Sequence, residues 1–198
     1  MGLKADLRKS ALTQRRALSQ QEIRTLSLQI ADRFFAGFAP TAGETVHTFL
    51  PILQHSEINT WPIIERIWQE FPAVQVAVPV ANAQDFSMTH FLFTPGTQLQ
   101  ENKWGIPEPV NALPLPESEI TTVLVPLVAF DLNGHRVGYG KGFYDRFLAL
   151  LPQTSQKLGL ALFPPVEPID DVHAKDLTLD AVITPEQVWR FGASSAKS

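Results

Sequence analysis

The sequence predicts an α/β fold: a single-domain, three-layer αβα sandwich with a largely parallel sheet and its N-terminal helices packed on one face. Short apolar segments alternate with amphipathic helical segments, as in folds whose helices connect parallel strands. The 198 residues suit one compact domain. Hydrophobic residues make up 44% of the chain and charged residues 18%, so there is ample material for a core. We expect one domain over 1–191 and a flexible tail over 192–198.

Two amphipathic helices are predicted at the start of the chain. The apolar residues of the first helix, at helical spacing, are Leu3, Leu7, Ala11 and Leu12. Ser19 and Glu22 have the spacing of a capping box, which predicts that a second helix begins there and continues to about Phe38. A third helix is expected after Thr60, which we interpret as its cap. Its inward face would consist of Ile63, Ile64, Ile67 and Trp68.

Apolar segments later in the chain predict six strands and one more helix. The strands are expected at 46–50, 74–80, 88–93, 122–130, 157–163 and 179–184, and the helix at about 143–151. Residues 94–119 contain five prolines and no clear apolar period, so we interpret them as a long loop. Loops of that length in a compact domain are usually binding segments, lids or linkers. Ligands of parallel sheets bind beyond the carboxyl ends of the strands, which directs attention to the segments after Leu50 and Phe130.

The composition excludes several classes of protein. Sixteen Lys and Arg residues against 20 Asp and Glu give a net charge of −4, so a broad nucleic-acid surface is not expected. The chain has no cysteine, which excludes disulfide scaffolds, thiolate metal sites and cysteine nucleophiles. The first residues are too polar for a secretory signal, and no apolar run approaches the roughly 20 residues of a membrane span. We expect a cytoplasmic monomer without nucleic-acid or membrane partners.

A glycine-rich segment at 134–142 is the most unusual feature of the sequence. Gly138, Gly140 and Gly142 occupy every second position, which lets backbone N–H groups approach a ligand. Arg136 and Lys141 add cations, and the helix that follows favours an anion at its start. From spacing alone, a phosphate site and a simple hairpin turn leading into a helix both stay open, because neither common phosphate-binding glycine motif fits.

Acidic residues offer further candidates with two interpretations each. Asp145 follows Lys141 by one helical turn, so it forms a surface ion pair or holds Mg²⁺ together with phosphate oxygens. Glu57 lies between a strand and a helix, where a carboxylate is more often a dipole partner than a ligand. The cluster Asp170, Asp171, His173, Asp176 and Asp180 is interpreted mainly as a solvated loop. Asp180 differs because it opens an apolar strand and could present its carboxylate at a sheet edge.

Taken together, these residues resemble one family, the 5-formyltetrahydrofolate cyclo-ligases, also called methenyltetrahydrofolate synthetases. The segment with the most specific resemblance is Arg136-Val137-Gly138-Tyr139-Gly140-Lys141-Gly142-Phe143-Tyr144-Asp145-Arg146, preceded by residues 126–131. Four other segments agree in order and rough spacing: Lys4 to Arg8 with Arg15 and Arg16, Phe49 to Leu50 with 57–60, 104–109, and 179–185. The resemblance therefore spans nearly the whole chain.

The resemblance implies an ATP- and Mg²⁺-dependent cyclisation of 5-formyltetrahydrofolate. ATP phosphorylates the formyl oxygen, the bridge nitrogen attacks the activated carbon, and loss of phosphate leaves 5,10-methenyltetrahydrofolate and ADP. Such chemistry asks the protein mainly for positioning and charge neutralisation.

The resemblance also implies roles for individual residues. ATP would be bound by Lys4 and Arg8 and by the run Arg136, Val137, Gly138, Tyr139, Gly140, Lys141, Gly142, Phe143 and Tyr144. Arg136 and Lys141 would act as catalytic cations. The folate would contact Leu50, Glu57, Trp104 and Tyr144. The ligands of Mg²⁺ would be Asp145 and Asp180.

The sequence departs from the family pattern in three places. Two extra residues lie between Leu50 and Glu57, Phe143 replaces a common tyrosine, and His173 is separated from Asp176. One competing hypothesis is a non-catalytic nucleotide- or RNA-binding module on the same fold. Another is a sugar-phosphate or coenzyme A transferase of similar build, for which no nucleophile or sugar-base motif is found.

Overall fold

An eight-stranded sheet forms the centre of the protein in the computed structural model, which describes residues 2–102, 105–174 and 176–192. Its α-helices are α1 (Lys4–Ala17), α2 (Gln20–Phe38), α3 (Trp61–Glu70) and α4 (Phe143–Leu148). The first six strands are β1 (Thr45–His47), β2 (Gln75–Ala81), β3 (Met88–Leu92), β4 (Gln98–Glu101), β5 (Pro107–Val110) and β6 (Pro114–Leu115). The remaining strands are β7 (Thr122–Pro126), β8 (Ala129–Phe130), β9 (Arg136–Val137), β10 (Gln156–Leu160), β11 (Ala181–Ile183) and β12 (Val188–Arg190).

The sheet has the order β12-β11-β10-β7-β1-β2-β3-β6. Its five central strands, from β11 to β2, pair in parallel, whereas β12, β3 and β6 pair antiparallel at the edges. Two separate hairpins, β4–β5 and β8–β9, complete the strands. The predicted fold class is confirmed.

Helices cover both faces of the sheet. On one face, α2 and α3 pack against side chains such as Val46, Val76 and Leu124. On the other face, Phe147 and Leu148 of α4 join a second apolar cluster. The first helix has a different place, because its Ala11 packs against the β8–β9 hairpin. The structure therefore places α1 at the side of the sheet where the glycine-rich segment begins.

Local interactions explain two helix starts. The capping box is confirmed: Ser19 Oγ accepts from Glu22 N at 3.2 Å, and Glu22 Oε2 accepts from Ser19 N at 2.7 Å. Helix α3 begins after Thr60 as predicted, but the Thr60 hydroxyl donates to Phe49 O at 2.6 Å instead of capping the helix. Trp61 N, the first N–H of α3, donates to Asn59 Oδ1 at 3.1 Å. Thr60 thus fastens the loop after β1 to α3.

Two predicted elements differ from the structure, and one strand is additional. The apolar segment 122–130 is not one strand, because the chain leaves the sheet after Pro126 and pairs again as β8 with β9. The predicted loop at 94–119 contains the β4–β5 hairpin and the edge strand β6, which tolerate proline because they are not central. Strand β12 was not predicted. Residues 193–198 lie outside the described part of the chain, so the single domain and flexible tail stay predictions.

A buried histidine pair lies between the sheet and α4. His47 on β1 and His90 on β3 approach with 3.0 Å between His47 Nε2 and His90 Nδ1. Phe147 packs against both rings. Burial lowers the pKa of both histidines; His47 is further lowered by His90, whereas nearby Glu117 partly opposes the shift at His90. Both rings are therefore held neutral within the folded core.

None of the helices in the described ranges is both long enough and apolar enough to cross a membrane.

Candidate active site

A cavity of about 500 Å³ lies at the carboxyl ends of β1, β2 and β7. Its walls come from α1, from the loop after β1, from the start of β5 and from the glycine-rich segment that leads into α4. Most of the residues predicted from the sequence line it: Lys4, Arg8, Leu50, Glu57, Arg136, Gly138, Tyr139, Gly140, Lys141, Gly142, Phe143, Tyr144 and Asp145. The fold therefore brings together segments that are far apart in sequence.

The glycine-rich segment follows a path that requires its glycines. Gly140 and Gly142 have φ angles of +89° and +72°, in the left-handed region that side chains disfavour. Arg8 of α1 lies against this segment, and its Nε donates to Gly138 O at 2.7 Å. A Cβ added at Gly140 would lie 3.3 Å from the guanidinium carbon of Arg8. Helix α1 and the glycine-rich segment are thus in direct contact at the cavity wall.

Four cationic side chains line the same side of the cavity: Lys4, Arg8, Arg136 and Lys141. Arg136 is buried and donates to Asp145 Oδ1 and Leu177 O, both at 2.5 Å. Burial lowers the pKa of Arg136, and Asp145 and Asp176 counteract this shift. Lys4 forms an ion pair with Asp176.

Lys141 differs from the other cations. It is exposed, and its ammonium has no hydrogen bond or ion pair within the described ranges. It is consequently the cation most available to a ligand.

The aspartates that line the cavity are Asp145 and Asp176, whereas Asp180 does not line it. Asp176 lines the cavity beside Lys4. Burial alone would raise the pKa of Asp176, but hydrogen bonds from Lys4 and from His173 N outweigh burial and lower it. Asp180 precedes β11, so it lies at the amino end of a parallel strand, whereas the cavity lies at the carboxyl ends. There it accepts from Lys157 N at 2.6 Å. The predicted pairing of Asp180 with Asp145 at a metal site is therefore not supported.

The chemistry of Asp145 and Asp176 suits Mg²⁺, which binds carboxylate oxygens and usually takes one or two of them together with substrate phosphates. Each carboxylate is only partly exposed, at 37% for Asp145 and 20% for Asp176, and each already faces a cation. In the described ranges, no group of three or more His, Asp or Glu side chains is arranged to hold a metal by itself.

Leu50, Glu57 and Tyr144 also line the cavity. Glu57 Oε2 accepts from Ile52 N at 2.8 Å, which closes the loop that carries the two extra residues. The Tyr144 hydroxyl is buried and has no hydrogen-bond partner in the described residues. Burial raises its pKa, and the nearby Glu57 carboxylate raises it further. Tyr144 therefore stays protonated, so it can donate a hydrogen bond to a ligand.

Val137 and Trp104 are two further residues that the sequence predicts for the site. Val137 is fully buried, packs with Ala11 and Val128, and does not line the cavity. Trp104 lies outside the described residues.

Apart from Leu50 and Phe143, the sequence interpretation assigned no role to the apolar residues that line the cavity. These are Phe49, Ile52, Pro79, Ala81, Met88, Ile106, Pro107 and Pro126, accompanied by Glu108. Pro79, Ala81 and Pro126 lie at strand ends, so the carboxyl-end rule could have found them. The residues of β5 carried no such signal, because the long proline-rich segment was expected to be a loop.

Comparisons with known proteins agree with the architecture. A model of the 5-formyltetrahydrofolate cyclo-ligase family matches residues 1–185. A 5-formyltetrahydrofolate cyclo-ligase of Escherichia coli K12 is 34% identical over 185 residues, which cover 89% of this chain and 97% of the relative. A probable 5-formyltetrahydrofolate cyclo-ligase of Schizosaccharomyces pombe is 30% identical over 148 residues, with 68% and 72% of the two chains covered.

Two solved structures are similar over nearly their whole length. The 5,10-methenyltetrahydrofolate synthetase of Aquifex aeolicus has a TM-score of 0.76 and 25% identity, and the match covers 100% of this chain and 97% of that one. The synthetase of Mycoplasma pneumoniae has a TM-score of 0.73 and 25% identity, with 92% and 99% covered.

Proposed function

The chain belongs to the 5-formyltetrahydrofolate cyclo-ligase family, and we propose that it converts 5-formyltetrahydrofolate and ATP to 5,10-methenyltetrahydrofolate, ADP and phosphate. The observation that carries this proposal is a cavity with two kinds of lining. We call Lys4, Arg8, Arg136 and Lys141 its cationic wall. The apolar wall consists of Leu50 and the strand-end residues together with Glu57 and Tyr144. The first wall suits a triphosphate, and the second suits a flat ring system with polar edges.

The cationic wall supports a role in phosphoryl transfer. Transfer of the γ-phosphoryl group to the formyl oxygen needs the two reactants held in line and the charge of the phosphate oxygens neutralised. Among the described residues, Lys141 has no competing partner, so it is available to the transferring group. Lys4 and Arg8 approach from α1, and Arg8 contacts the glycine-rich segment directly. Arg136 already donates to Asp145 and Leu177, so its proposed role includes holding Asp145 in place.

Asp145 and Asp176 are proposed as the carboxylates that face the bound nucleotide and its Mg²⁺. Bound Mg²⁺ would neutralise charge on the phosphate oxygens. Each carboxylate pairs with one of the cations that we assign to the triphosphate, and the four cations still outnumber the two carboxylates, so this wall keeps a net positive charge for ATP.

The apolar wall supports the folate assignment. The pterin ring offers paired N–H donors on one edge, which a carboxylate such as Glu57 accepts. Leu50 and the strand-end residues supply a nonpolar surface for the ring, and Tyr144 offers a protonated hydroxyl. Trp104 is retained as a proposed folate contact from the resemblance alone.

The reaction that we propose balances without a covalent enzyme intermediate. The formyl oxygen takes the γ-phosphoryl group and ADP leaves. The bridge nitrogen then attacks the formyl carbon and gives up its proton, and the C–O bond breaks as phosphate departs. Because ATP supplies the leaving group, a chain without cysteine can perform this chemistry.

The proposal is tested with purified protein, ATP, Mg²⁺ and 5-formyltetrahydrofolate. We expect ATP-dependent formation of the methenyl chromophore with stoichiometric ADP, and near-complete loss of both in Asp145→Ala. Omission of ATP is the control for spontaneous cyclisation. A wild-type protein that binds ATP but forms no methenyl product would overturn the proposal and favour the non-catalytic nucleotide-binding module.

A further inference from the structure

Arg15 is a buried cation that the proposed reaction does not use. It lies on α1 with 8% of its surface exposed, and no described carboxylate forms an ion pair with it. Its Nη1 donates to the Tyr139 hydroxyl at 2.6 Å, and its guanidinium lies 5.4 Å from the centroid of the same ring. Its Nε has no partner in the described residues. Because a buried cation is stable only where its charge is compensated, Arg15 requires a nearby negative group.

Glu57 supplies that negative group through Tyr139. Arg15, Tyr139 and Glu57 all line one narrow cleft between α1 and the loop after β1. The Tyr139 oxygen accepts from Arg15, so its proton is left to donate, and Glu57 is the carboxylate beside it. The pKa of Tyr139 is raised by burial and then by Glu57, while Arg15 acts in the opposite direction. The three side chains thus form a chain of cation, hydroxyl and carboxylate.

Two of these three side chains also reach the main cavity. Tyr139 and Glu57 line the large cavity as well as the narrow cleft, whereas Arg15 lines the cleft alone. Glu57 is also held from the other side by Ile52 N. Ile52 N and the neighbouring Tyr139 hydroxyl restrict the orientation of this carboxylate, which lines the space assigned to the folate.

We propose that Arg15 is a positioning residue for the folate: through Tyr139, it orients the Glu57 carboxylate toward the substrate. This inference rests on the proposed function. Arg15 does not contact the substrate in this arrangement, so its loss should weaken folate binding and leave the phosphate contacts largely intact. Tyr139 links the glycine-rich segment to the folate wall, because it stands between Gly138 and Gly140.

The kinetic test compares Arg15→Gln and Tyr139→Phe with the wild-type enzyme. Removal of a hydrogen bond to a charged group predicts a rise of about tenfold in KM for 5-formyltetrahydrofolate, with KM for ATP changed less than about twofold. The double variant should raise the folate KM little more than the more harmful single variant does, since both substitutions remove the same contact between Arg15 and Tyr139. Arg16→Gln is the matched control, because Arg16 is an exposed neighbour on α1, and it should leave both constants unchanged.

A spectroscopic readout tests the same chain without relying on activity. The protein has two tyrosines, so tyrosine labelled with ¹³C in the ring gives two sets of signals, and Tyr139→Phe identifies the Tyr139 set. We expect Arg15→Gln to shift the Tyr139 signals and Arg16→Gln to leave them in place. If Arg15→Gln fails to fold, Tyr139→Phe still tests the kinetic prediction, because it removes one hydroxyl only.

The outcomes separate this inference from the proposed function. An active wild-type enzyme whose folate KM is unchanged in both variants, or whose ATP KM rises equally, would overturn the positioning role alone. A wild-type protein that forms no methenyl product would overturn the proposed function, and the role in folate positioning with it. An unchanged Tyr139 signal in Arg15→Gln would overturn the hydrogen-bonded chain itself.

Discussion

The two walls of the cavity are built in different ways. On the cationic wall, charges pair with one another: Arg136 with Asp145 and Lys4 with Asp176. On the apolar wall, the strand ends provide shape, and Glu57 and Tyr144 are among the few polar groups. Charges that are fixed before the ligand arrives can stabilise a transition state without reorganisation. In the proposed function, the apolar wall contributes mainly by binding the ring. The two walls should therefore respond differently to substitution.

The largest effect is expected on the cationic wall from Lys141→Met. Removal of one group that stabilises charge on the transferring group typically costs about 10² to 10³ in rate, so we expect kcat to fall by at least about 100-fold. KM for 5-formyltetrahydrofolate should change little, because Lys141 is assigned to the triphosphate and not to the folate. Steady-state kinetics of methenyl formation measure both. A variant with a normal kcat would show that Lys141 does not face the transferring group.

On the apolar wall, Glu57→Gln should weaken folate binding by about tenfold while the shape of the side chain is kept. The glutamine retains an acceptor for Ile52 N, so the loop should stay closed. Isothermal calorimetry with 5-formyltetrahydrofolate and, separately, with ATP measures the contrast. Equal losses for both ligands would indicate that the two walls are not independent.

A smaller effect is expected from the buried histidines His47 and His90, which pack against α4. Their pKa values are lowered in the folded protein, so the unfolded chain binds more protons at low pH. Stability should be complete above the unfolded histidine pKa of about 6.5 and fall as the pH drops below it. We expect a loss on the order of 1 kcal/mol in the free energy of unfolding between pH 7.5 and 5.5.

Urea unfolding at the two pH values measures that loss. His47→Asn should reduce the pH dependence, whereas His173→Asn, at an exposed position, should leave it as in the wild type. A wild-type protein equally stable at both pH values would contradict the prediction.

The smallest effect is expected from Asp180→Asn, outside both walls. The Asp180 ion pair with Lys157 is exposed, so its loss should change the free energy of unfolding by less than about 1 kcal/mol and leave kcat unchanged.

Asp176→Asn is the informative partner, because it removes a charge from the cationic wall and should lower activity about tenfold or more. If Asp180→Asn were folded but inactive, the assignment of the second acid to Asp176 would be wrong.

The sequence predicted those parts of the fold that depend on local patterns. The capping box at Ser19 and Glu22 and the apolar runs of the central strands involve neighbouring residues, so periodicity identified them. The β4–β5 hairpin was missed because Pro107 and Pro109 normally argue against a strand, and tolerance of proline depends on being away from the sheet centre. The expected monomer and the cytoplasmic location stay predictions.

The site was predictable where one continuous segment supplies it. The glycine-rich run carries its cations with it, whereas Asp176 joins the site only because Lys4, far away in sequence, packs beside it. Asp180 could have been rejected from strand polarity, since a residue that precedes a parallel strand lies at the end away from the ligand. Arg15 and Glu57 are joined by Tyr139, a relation that only the tertiary structure displays.

The contact between Lys4 and Asp176 has a consequence for synthesis of the protein on the ribosome. The two residues are 172 positions apart, and translation at about 5–20 residues per second separates their appearance by roughly 10–30 s. During that interval α1 has emerged without the loop that pairs with it. A nascent chain therefore forms the Lys4–Asp176 ion pair only near the end of elongation, and chains released before residue 176 lack this link between α1 and the cavity wall.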